Sequence, residues 1–142
     1  MTFNKNNKPV TSASQFSIYV QNVRSLGTHI SSTKFTRPLD HGCDVYIFVD
    51  ACVTELRLRQ LWSQFKVRMS DMQVYNTYSQ NRGILILCKK SSGCTIENAV
   101  LVDTDSTVIF DLKPPDGDPI NCAAVYGPSK DDQRYWEMVA EN

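Results

Sequence analysis

The 142-residue sequence is 42% hydrophobic and 21% charged, with 15 Lys and Arg against 15 Asp and Glu, which is the composition of one globular domain or a piece of one and excludes intrinsic disorder and collagen-like structure. Its longest apolar runs, residues 45–49 and 84–88, fall far short of the roughly 20 residues a membrane helix requires, so no membrane partner is expected. A neutral total argues against coating nucleic acid through many Lys and Arg contacts, yet leaves a localised site open.

In chain order, residues 1–15 are rich in Asn, Lys, Ser and Thr with little apolar content, and are expected to form a flexible tail. They carry no apolar signal-peptide core, so secretion is not expected. Residues 16–23 alternate apolar and polar as a half-buried strand does. Residues 28–40 are ambiguous: Ile30, Phe35 and Leu39 could face a core from a short helix, but the Thr content and Pro38 count against it. Residues 44–50, with Asp44 and Asp50 flanking Val-Tyr-Ile-Phe-Val, predict a strand covered on both faces.

Thr54 is placed to cap a helix whose Leu56, Leu58, Leu61, Trp62 and Phe65 fall on one side, with Arg57, Arg59 and Lys66 turned outward. Short strands follow over residues 72–78, 83–88, 95–102, 107–112 and 120–126, separated by Gly, Asn, Ser and Pro. Their spacing predicts an antiparallel meander. Pro114-Pro115-Asp116-Gly117 supplies turn chemistry, and Asp131 opens a terminal helix. Five cysteines, an odd number without a C-x-x-C pair, predict reduced thiols and an intracellular protein, nuclear or cytoplasmic. The spacing of His29 and His41 from them argues against structural zinc.

Three polar residues stand where strands run out: Asn22, Asp50 and Tyr126. Strand ends in layered α/β folds are where ligands gather. A carboxylate held there by a rigid apolar strand suits a hard divalent cation, an amide adds an oxygen donor, and a phenol can hydrogen-bond a phosphate oxygen. On chemistry alone each has a second role open to it: Asp50 as a cap or turn former, Asn22 as a turn residue, Tyr126 as a core-edge aromatic. Likewise Arg57, Arg59, Lys66, Arg68 and Lys89-Lys90 could follow a phosphate backbone or simply solvate a surface.

The surroundings of these residues carry a resemblance. Val20-Gln21-Asn22-Val23-Arg24-Ser25-Leu26 resembles the first motif of the endonuclease/exonuclease/phosphatase superfamily, in the N-V-R-S-L form of non-LTR retrotransposon endonucleases. The run from Asp44 to Val53 is similar to the second motif, whose acidic residue is usually Glu and here is Asp50. Asn81-Arg82-Gly83-Ile84-Leu85-Ile86-Leu87 is similar to the following R-G-V-A-I-L-I strand, and Ala124-Val125-Tyr126-Gly127-Pro128-Ser129 to the N-V-Y-A-P-N motif, with Ser129 in place of Asn.

The resemblance implies an α/β fold, a partial four-layer α/β sandwich with mostly antiparallel strands and flanking helices, over residues 16–142. It implies a Mg2+-dependent DNA endonuclease that nicks a retroelement target site, with Mg2+ or Mn2+ as cofactor. Asp50 would ligate the metal, Asn22 would position metal and substrate, and Tyr126 would contact the scissile phosphate. Arg24, Arg82 and Ser129 would touch DNA, and a reverse transcriptase domain would be the partner in the parent protein. The family's later G-D-x-N and S-D-H motifs do not occur in these residues, so the expectation is an amino-terminal portion, inactive alone. Two other possibilities remain: a non-catalytic remnant or interaction fragment, and a phosphatase of the same superfamily. If a second sheet is absent, the apolar face of Ile84, Ile86, Val108, Phe110 and Val125 loses part of its cover.

Overall fold

The structure, a computed structural model, describes residues 16–26, 32–79, 81–103 and 106–127. The expected tail, the terminal helix and Ser129 lie outside the described residues. Seven strands run β1 Ile18–Asn22, β2 Val45–Val49, β3 Met72–Asn76, β4 Ile84–Lys89, β5 Thr95–Asp103, β6 Thr107–Lys113 and β7 Ile120–Val125. Three helices, α1 Ser32–Leu39, α2 Glu55–Gln64 and α3 Lys66–Ser70, lie between β1 and β3. The first sheet has the order β1-β2-β4-β3 and the second the order β5-β6-β7. Only β1 and β2 are parallel; every other pairing is antiparallel. Helices, first sheet and second sheet make three stacked layers, as the α/β sandwich reading requires.

The organising element is β2. All five of its residues are buried, because pleating sends Tyr46 and Phe48 toward the helices and Val45, Ile47 and Val49 toward the second sheet. β4 repeats the division, with Leu85 and Leu87 on the helix side and Ile84, Ile86 and Cys88 on the other. On the helix side, Phe35 of α1 packs on Phe48 and Phe65, with ring centroids 6.0 and 5.2 Å away. The ambiguous segment is thus a helix after all: fully buried Phe35 anchors it, although Pro38 in its last turn withholds one helical hydrogen bond.

Thr54 caps α2 as expected, its hydroxyl accepting from Arg57 N at 3.2 Å. Two other expectations for this helix are overturned. Leu56 is 65% exposed, whereas Arg57 is buried, because the helix turns the latter toward the loop after β1. The single meander is also corrected. β3 and β4 join the first sheet, and only β5, β6 and β7 form a meander. Gln73 clasps the two sheets together: its side-chain amide donates to Ile96 O at 2.8 Å and accepts from Ile96 N at 2.9 Å.

The expected loss of cover over Ile84, Ile86, Val108 and Phe110 does not occur, since the second sheet buries all four and Val125 is half-buried. Apolar exposure is spread instead over Ile18 and Val20 of β1, Val100 and Leu101 of β5 and Ile120 of β7, and over Leu56, Val67 and Tyr78; β1, β5 and β7 each have one neighbouring strand among the described residues. No helix of the described residues is long and apolar enough to cross a membrane.

Two measurements test this core. Phe48→Ala empties a fully buried position and should cost about 3–5 kcal/mol in urea unfolding, against within about 0.5 kcal/mol for Leu56→Ala. Burial, reinforced by the neighbouring Cys94 and Asp44, pushes the Cys88 thiol up to about 12 from an ordinary 9.0. Because the folded state resists losing this proton, the stability it holds is complete below about pH 9 and falls as pH rises toward 12. Comparing Cys88→Ala with the parent over that window should show a shallower alkaline decline in the variant.

Candidate functional site

The carboxyl ends of β1, β2 and β3 meet the start of β4 at one end of the first sheet, as the registers Asn22 with Val49, Val49 with Ile84 and Asn76 with Leu85 require. Beyond the last regular pairs the ladder continues in kinked form. Val23 N donates to Val49 O, Ser25 N to Asp50 O at 2.7 Å, and Leu26 N to Ala51 O at 2.7 Å. From the other side, Ala51 N donates to Gly83 O at 3.0 Å and Cys52 N to Arg82 O at 2.7 Å. Three loops, each carrying one of the sequence motifs, are thereby tied edge to edge.

This stitching holds backbone that would not otherwise persist. Arg24, Ser25, Asp50, Cys52, Tyr78 and Arg82 all have positive φ, between 50° and 78°, and all belong to this end of the sheet. Left-handed non-glycine residues cost about 1 kcal/mol or more each and concentrate where a loop is held for a purpose. Gly83, at φ +81°, takes the same conformation without that cost, and a Cβ there would meet Thr77 Oγ1 at 3.1 Å and Ser79 Cβ at 3.3 Å.

Asp50 sits half-buried directly after β2. Its left-handed turn ends the strand, and Cys52 Sγ lies 3.7 Å from its Oδ1. Burial, and then the Asp50 charge, raise the Cys52 thiol above its ordinary range. Asn22 shares a sheet face with Val20 and is exposed; its Oδ1 accepts from Arg24 N at 3.1 Å, closing the turn that starts the N-V-R-S-L loop. Arg24 and Arg82 are exposed beside them.

Tyr126 follows β7, with its N–H donating to Ser106 O at 2.8 Å. Cys88 Sγ lies 3.3 Å from Cys94 O, which puts the start of β5 over the end of β4. Across the two sheets, β7 is in contact with β2. Asn22 and Asp50 therefore lie at the same end of the first sheet, and Tyr126 follows the strand of the second sheet that touches β2.

Sequence reasoning missed the residues that hold this end together. Buried Arg57 donates from Nε to Leu26 O at 2.6 Å, so α2 grips the first loop from beneath, and burial lowers its pKa. Asn76, buried at the end of β3, donates to Val53 O at 2.7 Å and fixes the lead into α2. An amphipathic helix pattern gives no sign that one of its arginines turns inward. A buried Asn closing a strand, by contrast, is a legible hint, since such a group must find a partner.

Solved structures share this architecture. A crystal structure of D. rerio TDP2 complexed with a single-strand DNA product matches with a TM-score of 0.66 and 14% identity, over 90% of this chain and 54% of that one. The chain thus shares the mixed α/β fold of that structure, with two sheets of mostly antiparallel strands. A D. rerio TDP2 humanized by 14 mutations matches with a TM-score of 0.63 and 12% identity, over 89% of this chain and 55% of that one. The chain spans about half the length of these structures. No family model and no curated protein matches the sequence.

Removing the grip of α2 tests how the site end is held. Arg57→Met keeps the aliphatic packing but leaves the Leu26 carbonyl without this donor, which should cost about 1–3 kcal/mol. Amide exchange at Ser25 and Leu26 should accelerate more than exchange within β4.

Proposed function

We propose that this chain is the metal-binding half of a phosphodiesterase domain that acts on DNA. What supports this most is the hydrogen-bonded, strained end of the first sheet, where the loop after Asn22 is tied to the loop that begins at Asp50; Tyr126 would complete the set from the strand that touches β2. The fold shared with a TDP2 solved with a single-strand DNA product supports the substrate class.

The residues present suit a loosely held Mg2+. Among the described residues no cluster of three His, Cys, Asp or Glu could close around an ion, but Mg2+ keeps several waters and is often bound through one or two carboxylates and the substrate's phosphates. Asp50 would provide the charged oxygen, and Asn22 Oδ1, which already accepts one hydrogen bond, retains a second lone pair. Mn2+ fits the same oxygen donors. Bound there, such an ion would stabilise charge on a phosphodiester oxygen. Tyr126 would donate its phenol to the phosphate, and Arg24 and Arg82, exposed on the flanking loops, would neutralise backbone charge, with Ser129 nearby in sequence.

Phosphodiester hydrolysis also needs an oriented nucleophile, and none of these three residues supplies one, so turnover belongs to a longer protein. Nicking of a retroelement target site beside a reverse transcriptase domain is the finer form of this reading, carried by the N-V-R-S-L and R-G-I-L-I-L motifs.

The uncovered apolar residues favour a second reading. Ile18 is 41% exposed, Val20 61% and Ile120 40%, and with the free sides of β1 and β7 they fit a fragment that docks further polypeptide without catalysing anything itself.

Titration with Mn2+, followed by its EPR signal, should show one weak site in the parent chain and at least about tenfold weaker binding in Asp50→Ala, the scale of losing a charged oxygen ligand. Supercoiled plasmid with Mg2+ should stay intact with this chain and be nicked by a version extended through the two later motifs. Unchanged Mn2+ affinity in Asp50→Ala, together with an inert extended protein, would leave the docking fragment as the surviving account.

A further inference from the structure

A second feature lies on the other face of β1. Between this strand and α1 runs a groove of about 270 Å3, lined by Tyr19 and Gln21 from the strand, Thr33, Lys34 and Arg37 from the helix, and His41 just beyond it. Among the described residues no carboxylate lines it.

The polar groups of the groove are set up in an unusual way for a surface that is only solvated. The Tyr19 ring stacks on the His41 imidazole, with centroids 5.1 Å apart and planes 24° from parallel. Its hydroxyl donates to Gln21 Oε1 at 2.8 Å, which fixes the Gln21 amide with its two N–H donors still available among the described residues. Arg37 is exposed, and no hydrogen bond or ion pair engages its guanidinium among the described residues. Other arginines are neutralised: Arg59 pairs with Glu55, and Arg68 with Asp40. A chain of zero net charge thus keeps an uncompensated cation, spare donors and a flat π surface in one cleft.

The upper end of the groove reaches the candidate site. Lys34 Nζ donates to the carbonyls of Arg24 at 3.1 Å and Ser25 at 3.5 Å, in the loop that follows Asn22. At about 3.3 Å per strand residue, Tyr19 lies about 10 Å back along β1 from Asn22, room for about two or three nucleotides of a single strand.

We propose that this groove is a track for single-stranded nucleic acid leading away from the candidate phosphodiester site. Arg37 and Lys34 meet phosphates, the Gln21 amide donates to a base or phosphate oxygen, and a base extends the Tyr19–His41 stack. The combination of a basic path with an aromatic platform is what single strands use, since every base has a π face. The proposal rests on the reading of the site as a DNA phosphodiesterase centre, but its test is separate.

The experiment is fluorescence anisotropy of a 5′-labelled ten-residue oligothymidine with the full chain at low salt. Arg37→Glu should weaken binding about tenfold or more and make its salt dependence shallower by about one phosphate contact. His41→Ala should weaken it about three- to tenfold. Arg59→Glu, the same charge change on α2, should leave it within twofold, and melting curves of all three should overlay the parent's. Asp50→Ala should lose Mn2+ while keeping the oligonucleotide, which separates failure of the metal site from failure of the groove. Equal losses in Arg37→Glu and Arg59→Glu, displacement by tripolyphosphate at matched charge, or undiminished affinity for an abasic oligomer would overturn the proposal.

Discussion

The structure depends on a ladder that does not stop where its strands do. Beyond Asn22 and Val49 the backbone leaves extended geometry, yet hydrogen bonds still pass from the 23–26 loop to the 49–51 loop and from there to Arg82 and Gly83. Each kink in left-handed space is a local cost, and these cross-loop bonds, all 3.1 Å or shorter, offset it. The arrangement is cooperative: no one loop would keep its shape if its neighbour relaxed. A carboxylate placed on such a frame has little freedom to wander, which is the preorganisation that binding a small cation or a phosphate demands.

Beneath that frame sits a sheet with two cores. Tyr46, Phe48, Leu85 and Leu87 meet helices, while Val45, Ile47, Ile84 and Ile86 meet a second sheet. Neither side could be omitted without stranding one face of β2 in water. The aromatic residues gather on the helix side, where curved surfaces leave larger gaps, and the β-branched residues face the flatter sheet, where they pack well on a pleated surface.

Much of this was legible in the sequence. A run such as Val-Tyr-Ile-Phe-Val between two carboxylates has no reasonable place except a central strand, and Thr54 before an apolar helix pattern fixed a cap that the structure keeps. The motifs around Asn22, Asp50 and Gly83 fall at one end of the first sheet because β1 and β2 run parallel and end where the antiparallel β4 begins. Pairing order was not legible. Nothing in the short strands after α3 says that β3 and β4 join the first sheet while β5 begins another; the pairing of β2 with β4 and the clasp of Gln73 on Ile96 are long-range. The inward turn of Arg57 escaped for a related reason. Helical periodicity separates apolar from polar faces but cannot tell that a guanidinium will find a buried carbonyl.

The position of β1 carries a consequence for how the molecule comes apart. It is an edge strand, mostly exposed, and is joined to the rest by its parallel pairing with β2 and by Asp44, whose carboxylate accepts from Ser17 N at 2.9 Å. The β2–β4–β3 hairpin layer, by contrast, is sealed on both faces. Peeling β1 from its neighbour would be a sub-global opening that leaves the central layer intact, and it would have to break the Tyr19–His41 stack and the loop bonds beyond Asn22 as well. Such a detachment would carry Asn22 away from Asp50 while most of the tertiary structure survived, so occupancy of the open form, more than global melting, sets how long the two halves of the centre stay in register.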